Sequence, residues 1–305
     1  MELNEFTGKV RRAMEKEFGE EYRVELKEVR KNNGVMLHGL LIVSKERNVI
    51  PTIYLDSFWE AYEGGVTFAE IVSRLVEIYR KETCGKSINM DFFHDFRKVK
   101  DRICYRLIGR KTNEALLADV PHIDFLDLAI CFFYAYSGPE LGEGSILIHN
   151  SHMELWKTNT LELLEFAKKN TPRLFPGHVF SMEEMMEDIL QEQKNEPLSG
   201  VEEYKEFLDA VPMKILSNEQ KIQGAVCMLY EGLLEKMAAE YGKSFYILPS
   251  SVHEVILLPD KGDESEEELK NMIHDVNRTQ VAPEEVLSDS LYYYDFVDKK
   301  LKFIS

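Results

Sequence analysis

The chain has 305 residues and a formal net charge of −17, and 44% of its residues are hydrophobic. This composition is typical of a soluble globular protein, and the excess of acidic residues disfavours binding to the phosphate backbone of nucleic acids. The sequence shows neither a membrane-spanning apolar run nor a signal-peptide pattern, so we expect no membrane contact and a cytoplasmic location.

Apolar spacing predicts a mixture of helices and strands up to residue 192. The apolar residues between Leu3 and Phe18 repeat at helical spacing, and Asn33-Gly34 is a hairpin-turn signal. Thr67 followed by Glu70 has the pattern of a capping box at the start of a helix. The other predicted helices are at residues 58–62, 113–118, 160–169 and 181–192, and the other strands at 35–44, 50–55, 103–107, 125–136 and 145–149.

The second half of the sequence predicts a similar mixture after a polar segment. Residues 193–206 are acidic and contain Pro197 and Gly200, which favours a linker. The elements predicted after it are strands at 213–216, 245–248, 252–258 and 291–296, and helices at 223–241 and 264–278. Because regular βαβ alternation is missing, we expect an α+β fold in which mostly antiparallel sheets pack with amphipathic helices. The linker would then join two such units, at residues 1–192 and 207–305.

Cysteine spacing and charge distribution narrow the classes of function. The four cysteines are far apart and form no CxxC motif, which favours reduced core residues. Acidic residues concentrate in segments 183–206 and 260–289, whereas residues 97–111 hold seven bases and one acid. Within that basic strip, Arg102, Cys104 and Arg106 alternate with apolar residues. The alternation predicts a strand with one apolar and one partly cationic face, on which a local anion site stays open.

The segment FYILPSSVHEVILLPD, residues 245–260, contains a serine, a histidine and an acid close together. If residues 252–258 form a strand, Ser251 and His253 share one face and Glu254 lies on the other. Glu254 therefore cannot orient His253 locally, and no G-x-S-x-G motif surrounds the serines. We expect a turn between two strands. A catalytic Ser251–His253 pair would need its acid from elsewhere in the fold.

Two further histidine groups are candidates for chemistry. His149 and His152 could be metal ligands, although a site needs three or four ligands, and the simpler interpretation is a strand end followed by a helix capped by Asn150 or Ser151. His122 could be a general base with Asp124 as its carboxylate, or both could lie at a solvated strand start. We expect no cofactor and no metal.

Several segments together resemble the bacterial family of domain of unknown function (DUF) 5688. They are PTIYLDSFWEAYEGG, VPHIDFLDLAICFF, MELWKTNTLELLEFAKKNTPRLFP, FYILPSSVHEVILLP and NRTQVAPEEVLSDSLYYYD. More distantly, the order of a tryptophan-containing helix and a late Pro–His strand is similar to the DUF 1444 family. The resemblance implies a bacterial protein with an accessory role and brings no known activity, cofactor or catalytic residue.

Three hypotheses on function follow from the sequence. The leading one is a non-catalytic protein that acts through contact with an unidentified protein partner. The second is a hydrolase-like enzyme that uses His253 or His122 with a carboxylate supplied by the fold. The third is an acidic decoy that mimics nucleic acid, which requires segments 183–206 and 260–289 to share one face. The tyrosines at 292–294 alternate across a predicted strand, and exposed hydroxyls there would favour a binding surface.

Overall fold

A computed structural model describes residues 1–44, 50–82, 90–138, 142–182, 184, 213–249, 251–263 and 265–304. The chain forms two compact units, one made of Met1–His94 with Tyr136–Gly144 and the other of Asp95–Ala135 with Ser145–Ser305. The predicted linker at 193–206 lies outside the described residues, and the division into 1–192 and 207–305 stays a prediction. Helices with antiparallel sheets confirm the α+β class.

The first unit packs helices on one small antiparallel sheet. Its elements are α1 Leu3–Phe18, β1 Tyr22–Arg30, β2 Met36–Ser44, β3 Thr52–Tyr54, α2 Asp56–Glu63 and α3 Phe68–Glu82. The strand order is β1-β2-β3, and the middle of the apolar stripe of α1, formed by Phe6, Val10 and Met14, is fully buried. Glu70 accepts hydrogen bonds from the backbone N–H and the hydroxyl of Thr67, and it donates its own N–H to that hydroxyl, which confirms the capping box.

The remaining elements build a four-stranded and a six-stranded sheet with their helices. In chain order they are α4 Phe96–Val99, β4 Ile103–Gly109, α5 Glu114–Leu117, β5 His122–Phe125, β6 Leu128–Gly138, β7 Gly142–Leu147, α6 Asn150–Trp156, α7 Thr160–Leu174, β8 Gly177–Ser181, β9 Lys214–Asn218, α8 Leu233–Tyr241, β10 Phe245–Leu248, β11 Val255–Pro259, α9 Glu266–Thr279, β12 Leu291–Asp295 and β13 Lys300–Ile304. Sheet B has the order β4-β6-β5, with β7 also paired to β6. Sheet C has the order β13-β12-β10-β11-β9-β8.

The prediction of a helix at residues 223–241 is wrong for the first half of that segment. Gly224–Leu229 form a 3₁₀ helix, Tyr230 is extended, and α8 begins after Gly232, whose φ is +75°. The 3₁₀ helix lies against β9, where an added Cβ on Gly224 would stand 2.1 Å from Ser217 Oγ. Burial on all sides, rather than helix propensity, determines the local backbone here.

Three other strand predictions differ from the structure. The strand predicted at 125–136 is a hairpin, because Leu126 with a φ of +55° and Asp127 turn the chain between β5 and β6. The strand predicted at 252–258 begins only at Val255. The strand predicted at 145–149 is β7, which ends at Leu147. The edge strands β8 and β13 were not predicted, because few of their side chains are buried and their apolar pattern is short.

The carboxylate of Asp127 joins sheet B to sheet C. It accepts hydrogen bonds from the hydroxyls of Ser288 at 2.5 Å, Ser290 at 3.0 Å and Tyr292 at 2.5 Å. Tyr292 is fully buried, and this burial, together with the nearby Asp127 charge, raises the pKa of its hydroxyl. The tyrosine therefore stays protonated and remains a hydrogen-bond donor.

We expect Asp127→Ala to lower the free energy of unfolding by about 3 kcal/mol, because three hydroxyls lose a charged acceptor. Asp124→Ala is the matched control on the same hairpin. It removes an exposed ion pair with Arg110 and should change stability by less than about 1 kcal/mol. Urea unfolding followed by circular dichroism measures both variants, and equal effects would contradict this role of Asp127.

Gly224→Ala should destabilise the protein by about 3 kcal/mol, because the new methyl group would collide with Ser217 Oγ and with the carbonyl oxygen of His253. Gly8→Ala is the opposite control. Gly8 lies inside α1 with open space at its Cβ position, so alanine there should stabilise by about 1 kcal/mol. Thermal and urea unfolding of the two variants should shift in opposite directions.

Candidate functional site

The loop between β10 and β11 is a turn that is fixed by backbone contacts. Ser251 pairs with Val286 in an isolated β-bridge, and the N–H of Val252 donates to the carbonyl of Glu285 at 2.8 Å. The Ser251 hydroxyl donates to Glu254 Oε1 at 2.6 Å and accepts the backbone N–H of His253 at 3.0 Å. Ser251 is buried, and its oxygen is used to hold the turn.

His253 lies beside the carboxylate of Glu285, which is distant from it in sequence. Its Nε2 lies 3.4 Å from Glu285 Oε1, and its Nδ1 faces the backbone N–H of Gln223 at 3.3 Å. Glu254 Oε1 accepts the Ser251 hydroxyl, and in the described part of the chain no hydrogen bond joins Glu254 to the His253 ring. The strand alternation from which we reasoned does not apply, since residues 252–254 are not a strand. Among the described residues no hydrogen bond joins the Ser251 hydroxyl to the His253 ring. Glu285 therefore lies beside His253, whereas Ser251 is hydrogen-bonded to Glu254.

His149 and His152 stabilise the start of α6. His149 is the N-cap residue, which corrects the expectation that Asn150 or Ser151 caps this helix. Its backbone N–H donates to His152 Nδ1 at 3.0 Å, and its own Nδ1 lies 2.7 Å from Asp119 Oδ2. Burial, followed by the neighbouring His149, lowers the pKa of His152. In the part of the chain that the structure describes, no three histidine, cysteine, aspartate or glutamate side chains are grouped as a metal site requires.

His122 and Asp124 line a cleft of about 580 Å³ on sheet B. Asp124 forms an ion pair with Arg110 at 2.8 Å, whereas His122 Nδ1 contacts the carbonyl oxygen of Val120 at 3.0 Å. The structure therefore does not make Asp124 the hydrogen-bond partner of His122. The full lining of the cleft consists of Arg110, Lys111, Glu114, Leu117, Ala118, His122 and Asp124.

Of the residues predicted to form a cationic face, Arg106 lies on β4, whereas Arg102 precedes the strand in a 3₁₀ helix and Cys104 is buried in an apolar cluster. Arg106 is opposite Cys131 of β6, which in turn is opposite His122 of β5, so the three residues form one row across sheet B. Residues directly opposite in antiparallel strands share a face. Arg106 Nε is buried and has no hydrogen-bond partner among the described residues, and burial lowers the pKa of this guanidinium.

The remaining candidates from the sequence are the cysteines, the tyrosines of β12 and the acidic segments. Cys104, Cys131 and Cys227 are free and buried, and this burial raises the pKa of each thiol to about 12, while Cys84 lies outside the described residues. The tyrosines of β12 do not offer a row of free hydroxyls, because Tyr292 bonds to Asp127 and Tyr293 bonds to Asp260 at 2.8 Å. Most of the acidic segment 183–206 is outside the described residues, so the arrangement that a decoy requires stays a prediction.

Sequence reasoning missed the hairpin formed by β12 and β13. Its turn exposes Val297 to 85% and Phe296 to 40%. The tripeptide Phe296-Val297-Asp298 has neither the alternation of a strand nor the spacing of a helix. Its position in an exposed turn follows from the pairing of β13 with β12, which the sequence does not predict.

Taken together, the fold and these sites define an antiparallel α+β protein with a small cleft and a hairpin whose turn exposes apolar side chains. Within the described ranges, none of the helices has the length and apolar character that crossing a bilayer requires. The model of the family of unknown function DUF5688 matches residues 3–296, so the chain belongs to this family. Neither the comparison with curated proteins nor the comparison with solved structures found a match.

A fluorophosphonate reagent tests Ser251 as a nucleophile. Because the Ser251 hydroxyl is buried and donates to Glu254, we expect no adduct on Ser251 by mass spectrometry of the intact folded protein and its peptides. Ser251→Ala should give the same adduct pattern as the wild type. An adduct on Ser251 that disappears in His253→Ala would instead indicate a working serine–histidine pair.

Proposed function

We propose that this protein is a non-catalytic cytoplasmic binding protein that contacts a partner protein through the hairpin of β12 and β13. The observation that carries the proposal is the pair of exposed apolar side chains, Phe296 and Val297, at the tip of an ordered turn. Buried free cysteines are in keeping with a reducing compartment.

Hydrogen bonds and ion pairs hold the tip of the hairpin. The Asp295 carboxylate accepts the backbone N–H groups of Val297 and Asp298, both at 2.9 Å, and pairs with Lys302 at 2.6 Å. The bonds from Asp298 and Lys302 lower the pKa of Asp295 to about 2, so the carboxylate stays ionised at physiological pH. The backbone N–H of Phe296 also donates to the Ser244 hydroxyl at 3.0 Å.

An ordered apolar tip is suited to binding, because little conformational entropy is lost when a partner covers it. Isolated exposed apolar residues are ordinary on protein surfaces. Here, however, Phe303 on β13 is also exposed, so the same hairpin carries three exposed apolar side chains, although Lys300 and Lys302 lie between the turn and Phe303.

The edge strand also indicates the kind of partner. On its outer side β13 has no strand neighbour among the described residues, so an extended segment could add to sheet C. Lys302 is already paired with Asp295 and Asp298, whereas Lys300 is exposed on β13 and forms no ion pair among the described residues, so an acidic side chain of a partner would complement Lys300. A strand of another protein with acidic side chains beside an apolar one is the better complement.

A hydrolase-like activity is the second candidate function. The observation that favours it is the carboxylate of Glu285 at 3.4 Å from His253 Nε2, which is the acid that the sequence alone did not provide. The pairing of Ser251 with Glu254 argues against that serine as nucleophile. A water molecule activated by His253 would be the remaining route.

Affinity capture from the source cells tests the binding function. Val297→Asp places a charge at the hairpin tip and should remove a stoichiometric partner that the wild type recovers. Leu161→Asp is the matched control, since Leu161 is 71% exposed but lies on α7. His253→Ala should also retain the partner, because the histidine has no part in the proposed contact.

A photo-crosslinking residue at position 297 identifies the contact directly. We expect a crosslink to the same partner from position 297 and none from position 161. Loss of the partner in Leu161→Asp and His253→Ala as well as Val297→Asp would contradict the assignment to the hairpin. Recovery of the partner by Val297→Asp would contradict it too.

A further inference from the structure

The fold brings two basic segments of the sequence together on the second unit. One is the 3₁₀ helix Lys100–Arg102, which precedes β4, and the other is the C-terminal half of α7. The side-chain amide of Asn170 donates to the carbonyl oxygen of Lys100 at 2.8 Å. The guanidinium of Arg173 donates to the carbonyl oxygen of Asp101 at 2.6 Å and to the side-chain oxygen of Asn170 at 3.2 Å. These bonds hold the two segments side by side.

Lys169 lies on the side of α7 that faces this 3₁₀ helix. The ring of Phe166, whose centroid is 5.4 Å from the Lys100 ammonium nitrogen, precedes Lys169 by three residues. Arg173 follows Lys169 by four residues, and side chains three and four residues apart share one side of a helix. Lys168 is two residues beyond Phe166 and therefore lies on the opposite side of α7.

We define the basic patch as the side chains that these contacts bring together, which are Lys100, Arg102, Lys169 and Arg173. The acids in the same two segments are Asp101 and Glu165. Four bases and two acids give a formal net charge of +2, whereas the whole chain has −17. Among the described residues none of the four bases forms an ion pair, in contrast to Arg97, which is paired with Asp95. The positive charge of the patch is therefore available to an external anion.

Two aromatic rings adjoin the basic patch. Phe166 lies beside the Lys100 ammonium group, and Phe96 packs edge-on against Phe166 with 5.8 Å between the ring centroids. Both phenylalanines are half-buried, so part of each side chain remains exposed. A ligand that pairs with the bases can therefore also place an apolar side chain against these rings.

The charge of the whole chain distinguishes between kinds of anionic partner. A net charge of −17 repels nucleic acids and anionic membranes, because these carry many negative charges beyond any local contact. Four bases match only a few carboxylates, and the adjoining rings favour a ligand with an apolar side chain among its acids. A short acidic segment of a protein has both features.

We propose that the basic patch binds a short acidic segment of a partner protein, with an apolar side chain of that segment packed against Phe96 and Phe166. Arg173 is suited to this role, because both of its hydrogen bonds use one terminal nitrogen. In the described part of the chain its other two nitrogens have no acceptor, so they can hold a carboxylate through two parallel bonds. The basic patch uses no residue of the hairpin of β12 and β13 and is a separate contact surface.

Fluorescence anisotropy with labelled pentapeptides tests the basic patch. The probe has a central phenylalanine between acidic residues, and two comparison peptides replace the phenylalanine by alanine or the acids by glutamine. We expect saturable binding of the probe and binding of the alanine peptide that is weaker by up to roughly tenfold. The glutamine peptide should not bind, and the affinity for the probe should fall as the salt concentration rises.

Lys169→Glu should weaken binding of the probe at physiological salt by roughly fivefold or more, because an attractive charge becomes a repulsive one. Lys168→Glu is the matched control. It changes the net charge by the same amount on the same helix, but on the side away from the patch, so binding should change by less than about twofold. Circular dichroism should show equal helix content in both variants, since both lysines are exposed.

Absence of saturable binding of the probe would overturn the proposal. Equal losses of affinity in Lys169→Glu and Lys168→Glu would overturn the assignment to the basic patch. Tighter binding of a labelled oligothymidylate than of the probe would overturn the choice of an acidic protein segment. Val297→Asp should bind the probe as the wild type does, and loss of binding in this variant would assign the probe to the hairpin instead.

Discussion

The hydrogen bonds between the Asp127 carboxylate and three hydroxyls of residues 288–292 hold the second unit together. An ionised carboxylate only accepts hydrogen bonds, so it matches the donors Ser288, Ser290 and Tyr292 without competition. The turn that presents Asp127 contains Leu126 at a φ of +55°, a strained conformation for a leucine. Tyr105 of β4 is also in ring contact with Tyr230, which precedes α8. On the face of β4 that carries Arg106, Cys104 and Ile108 belong to buried apolar clusters.

Local patterns in the sequence predict the elements whose signals are themselves local. The amphipathic spacing of α1 and the reciprocal bonds of Thr67 and Glu70 depend only on residues within a few turns, and both are present. The segment 223–241 has good helical composition, yet Gly224 packs within contact of Ser217 and the backbone of residue 253. No periodicity within the segment contains that information. The strands β8 and β13 were missed for a related reason, since an edge strand is defined by its neighbour.

The candidate sites show the same division between local and non-local information. Alternation along residues 102–106 is sufficient to predict the strand β4, with Cys104 and Arg106 on one face. The row from Arg106 through Cys131 to His122 requires the register of three strands, and the sequence does not supply it. Likewise, the sequence identified that His253 needed an acid from elsewhere, but Glu285 is brought there by a turn with backbone bonds to Val252. A cluster of reactive residue types in sequence was thus divided by the fold into two separate pairs, Ser251–Glu254 and His253–Glu285.

The distribution of charge connects the two surfaces of the second unit. In a chain with a net charge of −17, acids outnumber bases, and Lys302 at the hairpin pairs with two of them. That neutralisation lets the hairpin present apolar side chains on a rigid turn. Arg106 is in the opposite situation, because its strand position places it between two apolar clusters that no described acid enters. The excess of acids therefore disfavours polyanions, whereas Arg106 keeps a positive charge in apolar surroundings.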